Sequence, residues 1–250
     1  MLPQRRYELI LRSLRADGPT AVGTLADHLG VSPATVRRDL VHLHREGRLT
    51  RVHGGAVSAA DPDEPFAEVA TVRVREKDAI AARCAELIKD GDAILLDIGT
   101  TAHRLARTLH GRAITVITSN LAVYEELADD ADIQLILLGG VVRRSYRSLV
   151  GYLTEDALRQ VRADRLFLGC SGVRPDGLVM DTTVVEVSIK RAMIAAADRV
   201  VLLADATKFP GTGVGRVCGP KDLHTVVTTT GADPDSCRAL REAGVEVITA

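Results

Sequence analysis

The residues with the clearest chemical purpose lie in one short run, Ser32–Leu40. Ser32 and Pro33 are typical of a helix start, because a serine hydroxyl accepts a bond from a free backbone N–H and proline suits the first helical position. The apolar residues that follow recur at helical spacing and predict one buried face. Arg37 and Arg38 point away from that face, and arginine can make paired hydrogen bonds to guanine in the DNA major groove. The run therefore predicts a helix that reads DNA.

Three helical patterns fill the first 46 residues and would position this helix. They end at Asp17, at Gly30 and near Gly47, and the link between the second and third is as short as a helix-turn-helix requires. The segment Arg48–Val52 alternates polar and apolar residues and then meets Gly54. This pattern indicates a β-hairpin wing, of which one strand is clear.

The predicted motif implies a specific set of DNA contacts. In a helix-turn-helix the second helix of the motif enters the major groove with its N-terminal part foremost. The alternative is that adjacent arginines on a capped helix form only a solvated face. The preceding helix, the short turn and the glycine-ended wing favour DNA binding. The predicted DNA-contacting residues are Ser32, Ala34, Thr35, Arg37 and Arg38 on the helix, with Arg48, Arg51 and His53 in the wing.

The charge of the chain is divided unevenly along its length. The formal net charge is −1, but residues 1–58 hold nine arginines, no lysine and five acidic residues, so this part is basic and the remainder acidic. A basic head on an acidic body predicts that only the head meets a polyanion. The four cysteines form no CxxC pair, so neither a disulfide framework nor a metal site is expected, and no cofactor. With no membrane span and no signal peptide indicated, we expect a cytoplasmic protein.

After about residue 72 the pattern changes to apolar runs that alternate with helical segments. This alternation predicts a three-layer α/β/α domain with a largely parallel sheet covered on both faces. We expect residues 1–57 to form the DNA-binding domain, 58–72 a linker, and 73–250 the α/β domain. The candidate strands are 93–97, 114–118, 133–138, 165–168, 200–204, 226–229 and 245–249.

Small polar residues and glycines follow several of these strands directly before a helix. In an open α/β sheet, ligands bind outside the carboxyl ends of the strands, where helix N-termini offer free N–H groups to phosphate. One such loop is a weak sign, since it often serves only as turn and cap, but four in one domain favour an anion-binding rim. The candidate effector-binding residues are Asp97, Gly99, Thr100 and Thr101 after the first strand, Ser119 and Asn120 after the second, Gly139 and Gly140 after the third, and Ser171 and Gly172 after the fourth.

Charged residues in two further segments add to this rim. Lys208, three residues after Asp205, could neutralise a phosphate, while Asp181 or Glu186 could accept hydrogen bonds from sugar hydroxyls. Lys190 follows Glu186 on the same predicted helix. The alternative for each residue is a surface ion pair, which contributes little. Taken together, the segments suit a ligand that carries phosphate and hydroxyl groups.

The chain resembles the DeoR family of bacterial transcriptional regulators over nearly its whole length. The motifs that carry the resemblance in the basic head are Arg5-Arg6, Leu25-Ala26, Leu29, Val31-Ser32, Thr35-Val36-Arg37-Arg38-Asp39-Leu40 and Arg51-Val52-His53-Gly54-Gly55-Ala56. The resemblance implies a winged helix-turn-helix that binds operator DNA, followed by a sensor domain similar to ribose-5-phosphate isomerase. It also implies control by a phosphorylated sugar and adds Arg143 to the effector-binding candidates. Asp39 could hold Arg37 or Arg38 in position instead of contacting DNA.

Three functions remain open at this point. The leading one is a ligand-controlled repressor of a carbohydrate operon, not an enzyme, whose heads bind a pseudo-palindromic operator as a homodimer or homotetramer. The alternative is a sugar-phosphate isomerase with a DNA-binding head, in which Glu186 or Asp181 moves a proton while Lys208 polarises a carbonyl. The third is an architectural DNA-binding protein whose second domain only dimerises.

Overall fold

The structure is a computed structural model that describes residues 2–17, 20–45, 49–52, 55–58 and 65–250. The chain divides into two compact units, Met1–Glu64 and Pro65–Ala250. Within the described residues, no helix combines the length and the apolar character that crossing a membrane requires.

The first unit contains three helices, α1 (Pro3–Asp17), α2 (Val22–Leu29) and α3 (Pro33–Arg45). Helix α2 ends because Gly30 adopts a left-handed conformation, with φ of 62°, that residues with side chains rarely take. Helix α3 begins at the expected place, since the Ser32 hydroxyl accepts a hydrogen bond from a backbone N–H of the first turn. The three helical patterns of the sequence are confirmed.

The helices of the first unit pack around one apolar core. Burying a leucine or isoleucine side chain stabilises a fold by about 1.5–3 kcal/mol, so the apolar face of α3 turns inward and its arginines turn outward. The fully buried members of this core include Ile10, Leu14, Leu25, Val36, Leu40, Leu43 and Leu49.

A three-stranded antiparallel sheet accompanies these helices. Its strands are β1 (Thr20–Ala21), β2 (Leu49–Val52) and β3 (Gly55–Ser58), in the spatial order β1-β3-β2. Strands β2 and β3 form the hairpin of the wing, with Leu49 opposite Ser58. The sequence predicts only β2, because β3 is made largely of small residues and shows no clear alternation.

Asp39 of α3 binds an arginine, but not one of its two neighbours. Its carboxylate accepts hydrogen bonds from the Nε and Nη2 atoms of Arg6 in α1, at 2.5 and 2.9 Å. These bonds raise the pKa of Arg6 above its ordinary value. The expectation that Asp39 holds Arg37 or Arg38 is therefore wrong, since residues one or two positions apart on a helix do not face each other. Its role is to join α1 to α3.

The second unit is built on a sheet of seven strands, and every neighbouring pair is parallel. All seven predicted strands are confirmed. In spatial order they are β15 (Glu246–Thr249), β14 (Thr225–Thr228), β12 (Ala197–Leu203), β9 (Ala163–Gly169), β4 (Ala93–Leu96), β5 (Thr115–Thr118) and β6 (Gln134–Leu137). The helices are α4 (Phe66–Ala70), α5 (Val74–Ala85), α6 (Thr100–Arg107), α7 (Leu121–Leu127), α8 (Tyr152–Leu158), α9 (Val184–Ala195) and α10 (Pro234–Glu242).

Helices cover both faces of this sheet, which is why its strands are continuous apolar runs. In β9, Leu166 and Leu168 face one core while Phe167 faces the other. The first core includes Met193 of α9, and the second includes Leu105 of α6. The expected three-layer α/β/α arrangement is confirmed.

Two smaller sheets complete the second unit and were not expected from the sequence. A hairpin joins β7 (Val141–Arg143) to β8 (Ser148–Val150). A second sheet contains β10 (Gly172–Val173), β11 (Val179–Asp181) and β13 (Gly215–Cys218). Their strands are two to four residues long, too short for an alternating pattern to stand out.

The predicted linker 58–72 is partly helical. Helix α4 lies within it and belongs to the second unit, which begins at Pro65, while residues 59–64 lie outside the described part of the chain. Phe66 is buried, so this segment packs against the unit that follows. A helix of five residues is too short to show the periodicity on which the prediction relies.

The strand order reverses between β4 and β9. From β4 the chain proceeds to β5 and β6 on one side, whereas β9, β12, β14 and β15 follow one another on the other side. In an open parallel sheet, ligands bind at such a reversal, in the crevice outside the carboxyl ends of the strands. We call this side of the sheet, where its seven strands end, the carboxyl edge.

Candidate functional site

The polar face of α3 presents the arginines that the sequence assigns to DNA. Arg37 and Arg38 are exposed, while Val36 beside them is buried in the core of the first unit. Both arginines, with Val41 and His42, line one open depression on the surface. The helix therefore offers two long cations from a rigid support, as base reading in a major groove requires.

The remaining predicted DNA-contacting residues differ in their surroundings. The Ser32 hydroxyl accepts the Thr35 N–H at 3.2 Å and lies 2.9 Å from the Thr35 hydroxyl, so both side chains shape the start of α3. Ala34 is exposed next to them. Two wing residues, Arg48 and His53, lie outside the described residues. Arg51 is part of β2, but the placement of its side chain is not described.

A buried ion cluster lies at the strand reversal of the carboxyl edge. Asp97 follows β4, and its Oδ2 accepts a hydrogen bond from the Gly169 N–H of β9 at 2.9 Å and another from Lys190 Nζ of α9. Lys190 also donates to the Gly169 carbonyl at 3.0 Å and lies 3.5 Å from Asp181 Oδ2. Three predicted effector-binding residues, far apart in sequence, thus meet at one point.

Lys190 is held in its charged form by this cluster. Burial alone would lower the pKa of Lys190, but attraction by Asp97 and Asp181 outweighs it and raises the pKa above its ordinary value. The Lys190 side chain is only 3% exposed, so its charge interacts with the two carboxylates rather than with solvent. Asp97 Oδ1 is also buried, and no described residue gives it a hydrogen bond.

Asn120 joins the loops that follow β4 and β5. Its Oδ1 accepts hydrogen bonds from the Ala122 and Val123 N–H groups in the first turn of α7, while its Nδ2 donates to the carbonyls of Asp97 and Gly99 at 3.3 and 3.2 Å. All of its polar atoms are used within the fold. The arrangement fixes the position of Gly99, which precedes helix α6.

Helix α6 begins at the carboxyl edge with a conformation that favours glycine. Gly99 has φ of 113°, which residues with side chains rarely adopt. The backbone N–H groups of Thr100 and Thr101 stand in the first turn, where no intrahelical acceptor exists, and the helix dipole adds a partial positive charge. This end of α6 suits a phosphate group.

Two buried serines at the same edge carry hydroxyls without a partner. Ser119 and Ser148 are both inaccessible to solvent, and neither Oγ has a hydrogen bond within the described residues. They are neighbours, because Leu149 donates its N–H to the Ser119 carbonyl at 2.8 Å. The sequence missed Ser148, which lies in the unexpected hairpin. Buried polar atoms of this kind are costly unless a ligand or water satisfies them.

The glycines after β6 and β9 serve close packing. A Cβ on Gly140 would lie 2.2 Å from Thr154 Oγ1, and one on Gly172 would lie 2.4 Å from the Thr212 N atom. Thr154 donates to the Gly139 carbonyl at 2.6 Å. Ser171 donates to Asp181 Oδ1 at 3.2 Å. These residues therefore stabilise the loops of the carboxyl edge by close packing and hydrogen bonds.

Arg143 and Glu186 form a second buried ion pair at this edge. They come from β7 and α9, and the Arg143 guanidinium also lies 5.6 Å from the centre of the Tyr146 ring. A carboxylate held in this way is less available as a proton acceptor. The pair joins the unexpected hairpin to the helix that carries Lys190.

Lys208 stands in the loop after β12. Asp205 caps this loop by accepting the Thr207 N–H at 2.9 Å. Lys77 of α5 lies near both charges. The sequence does not indicate this, because a lysine within an amphipathic helix gives no distinct signal. The pKa of Lys77 is lowered to about 8, mainly by burial; Asp205 opposes this shift and Lys208 adds to it.

Comparison with known proteins assigns both units to one family. A model described as the DeoR-like helix-turn-helix domain matches residues 6–61, and one described as the DeoR C terminal sensor domain matches residues 72–230. A solved structure of ribose 5-phosphate isomerase A from Methanocaldococcus jannaschii aligns with a TM-score of 0.39 and 18% identity, covering 53% of this chain and 52% of that one.

Two relatives extend over most of the chain. The transcriptional repressor AccR of Agrobacterium fabrum (strain C58) is 38% identical over 232 residues, which are 91% of this chain and 90% of that protein. The glycerol-3-phosphate regulon repressor of Escherichia coli (strain K12) is 33% identical over 211 residues, 84% of each chain. This chain is a regulator rather than an enzyme, and it belongs to the DeoR family of DNA-binding transcriptional regulators.

Proposed function

We propose that this regulator represses a carbohydrate operon and that a phosphorylated sugar, bound at the carboxyl edge, controls its hold on operator DNA. The observation that carries the proposal is the set of buried, unpartnered polar atoms around the strand reversal, Asp97 Oδ1, Ser119 Oγ and Ser148 Oγ. They lie next to the start of α6, which suits a phosphate. A ligand with hydroxyls and a phosphate would satisfy both features at once.

The predicted effector-binding residues take two different roles in this proposal. The first group contacts the ligand: the N–H groups of Thr100 and Thr101 hold the phosphate, and Lys208 adds a cation at the rim. The hydroxyls of the sugar meet Asp97 and Ser119. The second group positions the first and consists of Gly99, Asn120, Gly139, Gly140, Arg143, Ser171, Gly172, Asp181, Glu186, Lys190 and Asp205.

At the DNA, the residues on α3 read base edges and the wing residues meet phosphate. Two copies would engage a pseudo-palindromic operator in the cytoplasm, as a homodimer or a homotetramer, because paired half-sites mirror the symmetry of the protein. Repression is supported by the names of the two relatives, both of which are repressors. One of them is named for a phosphorylated three-carbon polyol.

Calorimetric titration with a panel of sugar phosphates tests the effector proposal. We expect one or more of them to bind, and the corresponding sugar without phosphate, or inorganic phosphate alone, to bind at least 100-fold more weakly. Failure of every sugar phosphate in a panel of trioses to hexoses would contradict the proposal.

Replacing Ser148 with alanine tests the location of the site. A hydrogen bond from a buried hydroxyl contributes about 0.5–1.5 kcal/mol net, so Ser148→Ala is expected to weaken the binding of the sugar phosphate by about 2-fold to 12-fold. Ser188→Ala, on the exposed side of α9, is the matched control. Equal affinities in both variants would remove Ser148 from the site.

A further inference from the structure

Helix α4 is attached to the carboxyl edge through the ring of Phe66. Phe66 is 3% exposed, and its ring packs against three side chains: Tyr146 at 6.1 Å between ring centres, His103 at 5.8 Å, and the Arg147 guanidinium at 5.6 Å. The Phe66 N–H also donates to the Ser145 carbonyl at 2.8 Å. The start of α4 is therefore held by both backbone and side-chain contacts.

The far end of α4 is held by two cations. Lys77 Nζ donates to the Val69 carbonyl at 2.7 Å, and Arg104 Nη2 donates to the Ala70 carbonyl at 3.3 Å. Each belongs to a helix of the second unit, α5 or α6. A helix of five residues buries too little surface to be stable alone, so these contacts determine where α4 lies.

The side chains that Phe66 packs against belong to segments that surround the proposed effector site. Tyr146 approaches the start of α6, since its hydroxyl lies 3.9 Å from where a Cβ on Gly99 would be. Its ring also contacts the Arg143 guanidinium, which pairs with Glu186. Tyr146 further precedes Ser148 by two residues in the loop between β7 and β8. A ligand that displaces this loop or the start of α6 changes the surface on which Phe66 rests.

We propose that Phe66 and Tyr146 are positioning residues that connect effector binding to the segment leading from the DNA-binding unit. The inference rests on the function proposed above. The free and effector-bound states differ in how the Tyr146 loop supports Phe66, so the ligand alters the position or order of α4. In sequence, α4 is the first element of the second unit, so a change in α4 acts on the segment that leads back to the first unit. A ligand can shift the equilibrium between the two states only as far as its affinities for them differ.

Phe66→Ala in the full chain tests this connection. The sugar phosphate found by calorimetry is titrated into each variant, and operator affinity is measured with and without it. In Phe66→Ala we expect the affinity for the sugar phosphate to stay within about 3-fold of wild type, while its effect on operator affinity falls at least 5-fold. Phe66→Tyr should retain most of the effect, and Val72→Ala, an exposed change two residues beyond α4, should retain all of it.

Hydrogen exchange on the unaltered protein gives a second measurement that does not depend on the variant folding. Saturating sugar phosphate is expected to change the exchange rates of the amides of residues 66–70 by at least 3-fold, with little change in α10. Suppose that the operator affinity of the wild type responds to the ligand. An unchanged exchange rate in α4, or a normal response in Phe66→Ala, then overturns this inference and leaves the proposed function intact. A wild-type protein that binds no sugar phosphate overturns both.

Discussion

An Arg37→Ala/Arg38→Ala variant is expected to bind its operator roughly 30-fold to 20,000-fold more weakly than the wild type. Each arginine that makes a paired contact with guanine contributes about 1–3 kcal/mol of discrimination, and about 1.4 kcal/mol corresponds to a tenfold change in affinity. Both side chains are exposed, and neither belongs to the core that holds α3 in place. The fold should therefore survive the change. Fluorescence anisotropy with a labelled operator fragment at one fixed salt concentration measures the loss.

Two controls separate base reading from general attraction to DNA. Arg241→Ala removes an exposed arginine from α10 in the second unit and should leave operator affinity unchanged. A fragment with a scrambled sequence should lose much less affinity for the double variant than the operator does, because only phosphate contacts act there. Equal losses on both fragments would mean that the two arginines contact phosphate alone. Loss of sugar-phosphate binding in the same variant would contradict the separation of DNA binding from effector binding.

A Lys190→Met variant is expected to destabilise the second unit by about 3–5 kcal/mol, the usual cost of removing one partner from a buried ion pair. The change leaves Asp97 and Asp181 buried next to each other without the cation that both contact. The loops that follow β4 and β9 meet at this point, so sugar-phosphate binding should be lost with the pairing. Urea unfolding, followed by the exchange of amide hydrogens in β4 and β9, measures the loss in the unit concerned.

The loss of stability in the Lys190→Met variant should also depend on pH. Burial already raises the pKa of Asp97 above its ordinary value of 3.8, and Lys190 opposes this rise. Without the lysine the pKa of Asp97 in the folded state rises further, so above pH 4 the folded state binds more protons than the unfolded state. The stability of the variant therefore falls as the pH rises from 4 to the raised pKa of Asp97. The variant should lie closer to wild type at pH 5 than at pH 8.

Lys221→Met, at an exposed lysine of the same unit, is the matched control and should change stability by less than about 0.5 kcal/mol. A Lys190→Met protein with wild-type stability at pH 8 would show that the buried cluster contributes nothing to the carboxyl edge.

The start and the buried face of α3 could be predicted closely because their signals are local. A cap at Ser32, a left-handed Gly30 and an apolar face repeated within three turns each depend on neighbours in sequence. The same holds for the seven strands of the large sheet, whose continuous apolar runs follow from burial on both faces. Asp39 is the exception within this unit, since its partner Arg6 lies 33 residues away.

The candidate effector site could be predicted as a set of residues but not as an arrangement. Asp97 and Lys190 are 93 residues apart, and only the strand order, which places β4 beside β9, brings the two side chains together. Ser148 and Tyr146 were missed because they lie in a hairpin with three-residue strands. Phe66 was missed because a five-residue helix has no detectable period. For Asp97 and Lys190 the missing information was a long-range contact, and for the other three residues it was a pattern too short to detect.

We propose that this regulator binds both operator DNA and a sugar phosphate and that each ligand changes the affinity for the other. The most direct test measures the operator Kd with and without saturating sugar phosphate, and the sugar-phosphate Kd with and without saturating operator. Coupling between two binding sites is reciprocal, so we expect the two ratios to be equal and to differ from one by at least about 5-fold. A sugar phosphate that binds while leaving the operator Kd unchanged would contradict it.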